Sequence, residues 1–199
     1  MLYAETARSP APKSSRRKNL RVISGKYKGR KLFSPRGDEI RPTSDRAKEA
    51  VFDILQWEIE GARVLDLFAG SGSLGIEAAS RGAAEVIFSD ISGESISLIN
   101  QNLTKIGIKA QVFKRDYRHM LEMSGGRFDI IFIDPPYGSA AGKDAMNIIL
   151  EKGLLNEGGV IVFETARTKE ADLIFRTDIA TDKRDYGAAS VLFIRKKNA

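Results

Sequence analysis

Asp134-Pro135-Pro136-Tyr137 places an acid, a stiff pair of prolines and an aromatic ring at four consecutive positions. Proline gives no N–H to a sheet ladder and biases the residue before it toward extended backbone, so these four residues mark the abrupt end of a strand. The apolar run before them, residues 130–133, is long enough for a strand buried on both faces. Asp134 is therefore expected at the carboxyl end of a central strand, the edge at which open α/β sheets bind ligands. An acid, the Pro135 carbonyl and an aromatic face together suit a flat, polar ring, and a nucleobase is the natural candidate.

A second set of spaced residues lies upstream. Asp66 lies within a buried strand expected over 64–68, and Gly70, Gly72 and Gly75 follow in G-x-G-x-x-G spacing before a helical stretch expected to begin at Ile76. Glycine lets backbone approach a ligand closely, and a helix start offers free N–H groups. Asp90 ends the next apolar run, 86–89, where a carboxylate can accept hydrogen bonds from two ribose hydroxyls. Taken alone, this pattern admits both dinucleotides and S-adenosylmethionine. Asp116 closes a further short strand over 110–116.

Charge marks a third feature. The chain carries a net +6, yet residues 1–37 alone carry +10 and the remainder −4. Such an arm suits phosphate contacts. Within it, residues 21–34 predict a β-hairpin whose tip gathers Lys26, Lys28, Arg30 and Lys31 around Tyr27, a composition that can meet phosphates and stack on an unpaired base. Residues 1–20 show no apolar periodicity and are expected to be disordered. Residues 41–57 predict a loop and then a helix, with Arg41, Thr43 and Arg46 gathered at its start as candidate phosphate ligands.

These residues need a scaffold. From residue 63 onward, apolar strand-length runs alternate with helical periods: a helix over 95–103, the strand ending in DPPY, a helix over 144–152, a strand over 160–164 and a last strand within 186–197. The pattern predicts one α/β domain over 41–199, a Rossmann-like, doubly wound, mostly parallel sheet, preceded by a basic hairpin extension over 21–40. Trp57 and Phe68 are expected to pack rather than stack on a base. No apolar run is long enough for a membrane span. Cysteine is absent, which removes disulfide and thiolate metal chemistry and fits a reducing, cytoplasmic setting. One histidine, His119, argues against a His-rich metal site or a Ser-His-Asp triad, so no metal is expected.

Residues 66–75 resemble the S-adenosylmethionine loop of Rossmann-like methyltransferases, and DPPY resembles their amino-group motif, (D/N)PP(Y/F/W). Moreover RVISGKYKGRKL, RPTSDRAKEAVFDIL, VLDLFAGSGSLGIEAASRGA and FDIIFIDPPY occur in that order. Together they are similar to the RsmD family of bacterial ribosomal RNA (guanine-N2)-methyltransferases across residues 21–197. The resemblance implies S-adenosylmethionine as cofactor and small-subunit ribosomal RNA as partner. It assigns Asp66 and the loop residues Phe68, Ala69, Gly70, Ser71 and Gly72 to the cofactor, with Asp90 on its ribose, Ile91 near its adenine, and Asp116 and Tyr117 against the adenine. Asp134, Pro135 and Tyr137 form the amino-acceptor site, and Lys26, Tyr27, Lys28, Arg30, Lys31, Arg41 and Arg46 meet RNA. Asp90 stands where the family often has the longer Glu. A monomer is expected. Other classes share parts of this pattern: an amino methyltransferase acting on DNA or a glutamine amide, a nicotinamide oxidoreductase, and a noncatalytic RNA-binding assembly factor.

Overall fold

The computed structural model describes residues 20–35, 45–136, 138–167 and 177–197. Along the chain these form α1 (Asp45–Ile54), β1 (Arg63–Asp66), α2 (Ser73–Ser80), β2 (Glu85–Asp90), α3 (Gly93–Ile106), β3 (Gln111–Lys114), α4 (Tyr117–Met123), β4 (Phe128–Ile133), α5 (Ala141–Glu151), β5 (Leu155–Ala166), β6 (Ile179–Tyr186) and β7 (Ala189–Lys196). The strands build one sheet in the order β3-β2-β1-β4-β5-β7-β6. The first five are parallel, and β7 runs antiparallel between β5 and β6. The expected doubly wound, mostly parallel sheet is present.

The inner strands β2, β1, β4, β5 and β7 are largely buried on both faces, and their side chains alternate between two cores. Val64, Ile130, Phe132, Val160, Val162, Val191 and Phe193 face α1, α2 and α3, joined there by Phe52, Ile76 and Ile99. Leu65, Ile131, Ile133, Ile161, Phe163, Leu192 and Ile194 face α4 and α5, joined by Leu121, Met146 and Ile149. The helix signals are local. Ser92 caps α3 by accepting from Ser95 N at 3.3 Å, Glu94 lies in its first turn, and Gly107 ends it at φ 81°.

Several expectations need correction. Residues 21–34 are a hairpin-shaped turn rather than paired strands: one antiparallel bridge joins Arg21 and Lys31. Nor is it an appendage, because Leu20, Val22 and Leu32 enter the same core as Val64 and Phe52. Polar groups fix it further. Glu77 on α2 accepts Ile23 N and Ser24 N at 2.8 and 2.9 Å, and Ser80 accepts Tyr27 N at 3.0 Å and donates to Ser24 O at 2.6 Å. Helix α2 begins at Ser73 rather than Ile76. Asp116 does not end a strand but caps α4, accepting Arg118 N at 2.9 Å. Trp57 does not pack; it is 88% exposed after α1. The expectations for residues 1–19, Arg41, Thr43 and Tyr137 fall outside the described residues.

Candidate active site

Strands β2, β1 and β4 lie side by side and parallel, so their last residues share one edge. Asp90 ends β2, Asp66 ends β1, and Asp134 follows β4. Here the strand order also reverses, β1 leading outward to β2 and β3, and β4 to β5 on the other side, which opens a crevice at the carboxyl edge. Three acids from distant stretches of sequence thus flank one crevice.

The turn from β1 into α2 is built from glycines and the two flanking acids. Gly70 and Gly72 adopt φ 54° and 77°, which side chains with a Cβ rarely tolerate. Gly75 serves packing instead, since a Cβ there would lie 2.3 Å from Phe88 Cε1. Asp66 accepts Gly75 N at 2.9 Å, while Asp90 accepts Gly70 N at 2.9 Å and Ser92 N at 2.8 Å. Asp66 is 2% exposed. Burial pushes its carboxyl from 3.8 up to about 7; the Gly75 N–H opposes the rise and the neighbouring Asp90 charge adds to it. The Gly75 N–H at the start of α2, which a dinucleotide's pyrophosphate would need, is already taken by Asp66, and the Asp90 charge at the turn favours a cation such as a sulfonium or ammonium over a phosphate. The donor set therefore fits S-adenosylmethionine better than NAD.

The walls follow. Ile91, just beyond Asp90, is 68% exposed at this edge. Arg115 N donates to Asp90 O at 3.0 Å, which brings Asp116 and Tyr117 beside it. Phe68 does more than fill the core: its ring lies 5.4 Å from that of Tyr117 at 38°. The Tyr117 hydroxyl donates to Asp144 Oδ2 at 2.9 Å, and Arg118 pairs with the same carboxylate at 3.0 Å. That group ties the start of α4 to the start of α5, the helix after the DPPY loop. Asp134 and Pro135 are half-buried and Pro136 is exposed. A Cβ on Gly142 of α5 would lie 2.8 Å from Pro135 Cγ and 2.5 Å from Phe163, so helix, loop and β5 are in tight contact.

Every described residue assigned to the cofactor or the acceptor stands at this edge: Asp66, Phe68, Ala69, Gly70, Ser71, Gly72, Asp90, Ile91, Asp116, Tyr117, Asp134 and Pro135. The basic residues do not all join them. Arg46 is exposed in the first turn of α1, two residues before buried Lys48, whose Nζ donates to Ser73 Oγ at 3.0 Å at the start of α2. The hairpin tip lies at the opposite edge. Lys26 N donates to Ser80 O at the end of α2, and Arg30 Nη1 to Ile106 O at the end of α3. Tyr27 is half-buried against the core with Lys26 and Arg30 over its ring, so it stands apart from Asp134.

Sequence reasoning missed Asn102. It is fully buried, accepts Phe33 N at 2.7 Å, and donates to Phe33 O at 3.1 Å and to Ser71 O at 2.9 Å. One amide thereby fixes both the glycine turn and the N-terminal segment. Its signal was available: Asn102 lies three residues after Ile99 and four before Ile106, on the buried stripe of α3.

Among the described residues no group of three or more His, Asp or Glu could hold a metal ion. No helix among them is long and apolar enough to cross a membrane.

Residues 20–195 match the family described as conserved hypothetical protein 95. The chain is 39% identical over 183 residues, 89% of its length and 100% of the other's, to YlbH of Bacillus subtilis, whose name assigns it provisionally to rRNA methylation. It is 33% identical to ribosomal RNA small subunit methyltransferase D of Escherichia coli K12, over 77% of this chain and 78% of that one. Among solved structures, the Thermus thermophilus 16S rRNA N2 G1207 methyltransferase RsmC, in complex with AdoMet and guanosine, superposes with a TM-score of 0.68 at 28% identity, over 81% of this chain and 45% of that one. The Escherichia coli protein yhhF superposes with a TM-score of 0.80 at 27% identity, over 91% of this chain and 99% of that one. With its glycine turn, paired strand-end acids and Asp134-Pro135-Pro136 on one edge of such a sheet, the chain belongs to the RsmD family of S-adenosylmethionine-dependent methyltransferases.

Proposed function

We propose that this enzyme methylates the exocyclic N2 amino group of a guanine in small-subunit ribosomal RNA. The observation that carries the proposal is the shared edge: the glycine turn held by Asp66 and Asp90 adjoins Asp134 and Pro135 across neighbouring strand ends. S-adenosylmethionine supplies an electrophilic methyl on a sulfonium. The chain's own residues supply orientation. An exocyclic amine conjugated to a ring is a poor nucleophile because its lone pair is delocalised. Asp134 and the Pro135 carbonyl each accept one N–H of that amine, which directs the lone pair out of the ring plane and favours pyramidal nitrogen. Tyr137 stacks on the base and fixes its plane. Rate then comes chiefly from proximity and alignment. Duplex stacking would hide the amine, so the target base is unpaired or flipped.

Guanine N2 and small-subunit RNA are supported by the names of the relatives, which specify small-subunit ribosomal RNA and, for the RsmC structure, N2 of a guanosine. The test is transfer of labelled methyl to unmodified small subunits, followed by mapping of the labelled nucleotide. Label on a guanine N2 is expected; label on another base, or on protein, overturns the assignment. Asp134→Ala should lower kcat by at least about 10²-fold, with S-adenosylhomocysteine affinity unchanged. Near-normal turnover in that variant would remove Asp134 from the acceptor site.

A further inference from the structure

At the amino edge of the sheet, opposite the active site, a hollow of about 510 Å³ opens between the ends of α2 and α3. Its floor is small and apolar, from Ala79, Ala83, Val86, Ile108 and Ala110, and Tyr27 forms one wall. Gln111 and Glu85 place polar ends at its rim, where Gln111 Nε2 donates to Glu85 Oε1 at 3.2 Å. The surrounding charge is one-sided. Exposed Lys109 lines it, exposed Lys26 and Arg30 stand over the ring of its Tyr27 wall, and the acid Glu85 is paired with Arg63 at 2.6 Å. The volume is that of an ordinary small-ligand site, with an aromatic wall for a ring and cations for phosphate.

We propose that this hollow is a second RNA site, which takes a nucleotide of the substrate other than the one methylated. The inference rests on the RNA reading above and extends it. Separation follows from α3, whose 14 residues run from just past Asp90 and Ile91 to Ile106, whose carbonyl holds Arg30. At 1.5 Å per residue that is about 21 Å. A strand rising about 3.4 Å per nucleotide needs roughly six nucleotides to reach from one edge to the other. The tip's cations therefore select RNA by extent rather than by the identity of the target base.

The test compares short RNA, with three nucleotides on each side of the target guanine, against RNA extended well past ten on each side. Two variants of the full chain are used: Lys26→Glu/Lys109→Glu at the rim, and Ala84→Trp to fill the hollow from its exposed side. For the long RNA each should raise Kd and KM about tenfold, and the charge variant should flatten the salt dependence by roughly the two lost phosphate contacts. The kcat, S-adenosylhomocysteine affinity and Kd for the short RNA should be unchanged. Unchanged long-RNA affinity in both variants overturns the site, as does equal weakening for short and long RNA. Anisotropy reads binding without turnover. If the wild-type chain binds RNA at this face yet methylates none, the second site stands and the methylation reading falls.

Discussion

Asp66 is the residue whose ionisation the fold resists most openly. Its carboxyl, ordinarily at 3.8, is held near 7 by burial. Between those values the native chain retains a proton that the unfolded chain has released, so stability falls as pH rises from about 4 to about 7. The loss through this one group is at most roughly 4 kcal/mol. Asp66→Asn has no such proton and keeps an oxygen for Gly75 N. Urea unfolding at pH 5 and pH 8 should show the variant gaining on the wild type at the higher pH; a constant difference would contradict the assignment. Gly142 offers a cleaner probe of the acceptor loop. Gly142→Ala pushes on Pro135 and Phe163, and should lower kcat about tenfold or more while leaving S-adenosylhomocysteine titrations unaltered. The acids and glycines of the site were readable from sequence because strand ends announce themselves. Lys48, Glu77 and Asn102 were not, since polar residues in helices are assumed to face water. Lys48 is nonetheless four residues before Phe52 and seven before Leu55, on the buried face of α1.

At the scale of elements, the N-terminal turn is held by a buried polar cluster rather than by strand pairing. Glu77 accepts two of its backbone amides, pairs with Arg81 at 2.9 Å and lies 3.6 Å from Lys48, which itself donates to Arg21 O at 2.8 Å. Replacing the carboxylate leaves buried cations and an amide short of acceptors. Glu77→Gln should cost about 3 kcal/mol by urea titration and expose residues 20–35 to protease. A loss within 0.5 kcal/mol would mean that the cluster holds nothing. Elements with strong periods were legible, including β1, β2, β4, α3 and α5. Helix α4 was missed because YRHMLEM puts only Met120 and Leu121 in the core, and β6 because ATDKRDY is the polar outer edge of the sheet.

For the whole molecule, the N-terminal positive charge is shared between the packed turn, with Lys26, Lys28, Arg30 and Lys31, and the residues before it. The described core begins at Leu20, whereas residues 1–19 carry five Lys or Arg and one acid. Deleting them should leave the unfolding midpoint unchanged and weaken RNA binding, with the salt slope reduced by at most about 3. A lowered midpoint would show that the arm packs on the fold. The placement of β7 has a different reach. Residues 190–194 of β7 are buried, and the strand slots between β5 and β6 rather than adding to an edge. Until they arrive, β5 presents an open apolar edge and β6 has no neighbour. A ribosome translating this chain must therefore release residue 196 before the sheet can close. The nascent polypeptide carries an exposed β5 from the emergence of residues 155–166 until residues 189–196 follow, a window in which chaperones and like strands compete for the same edge.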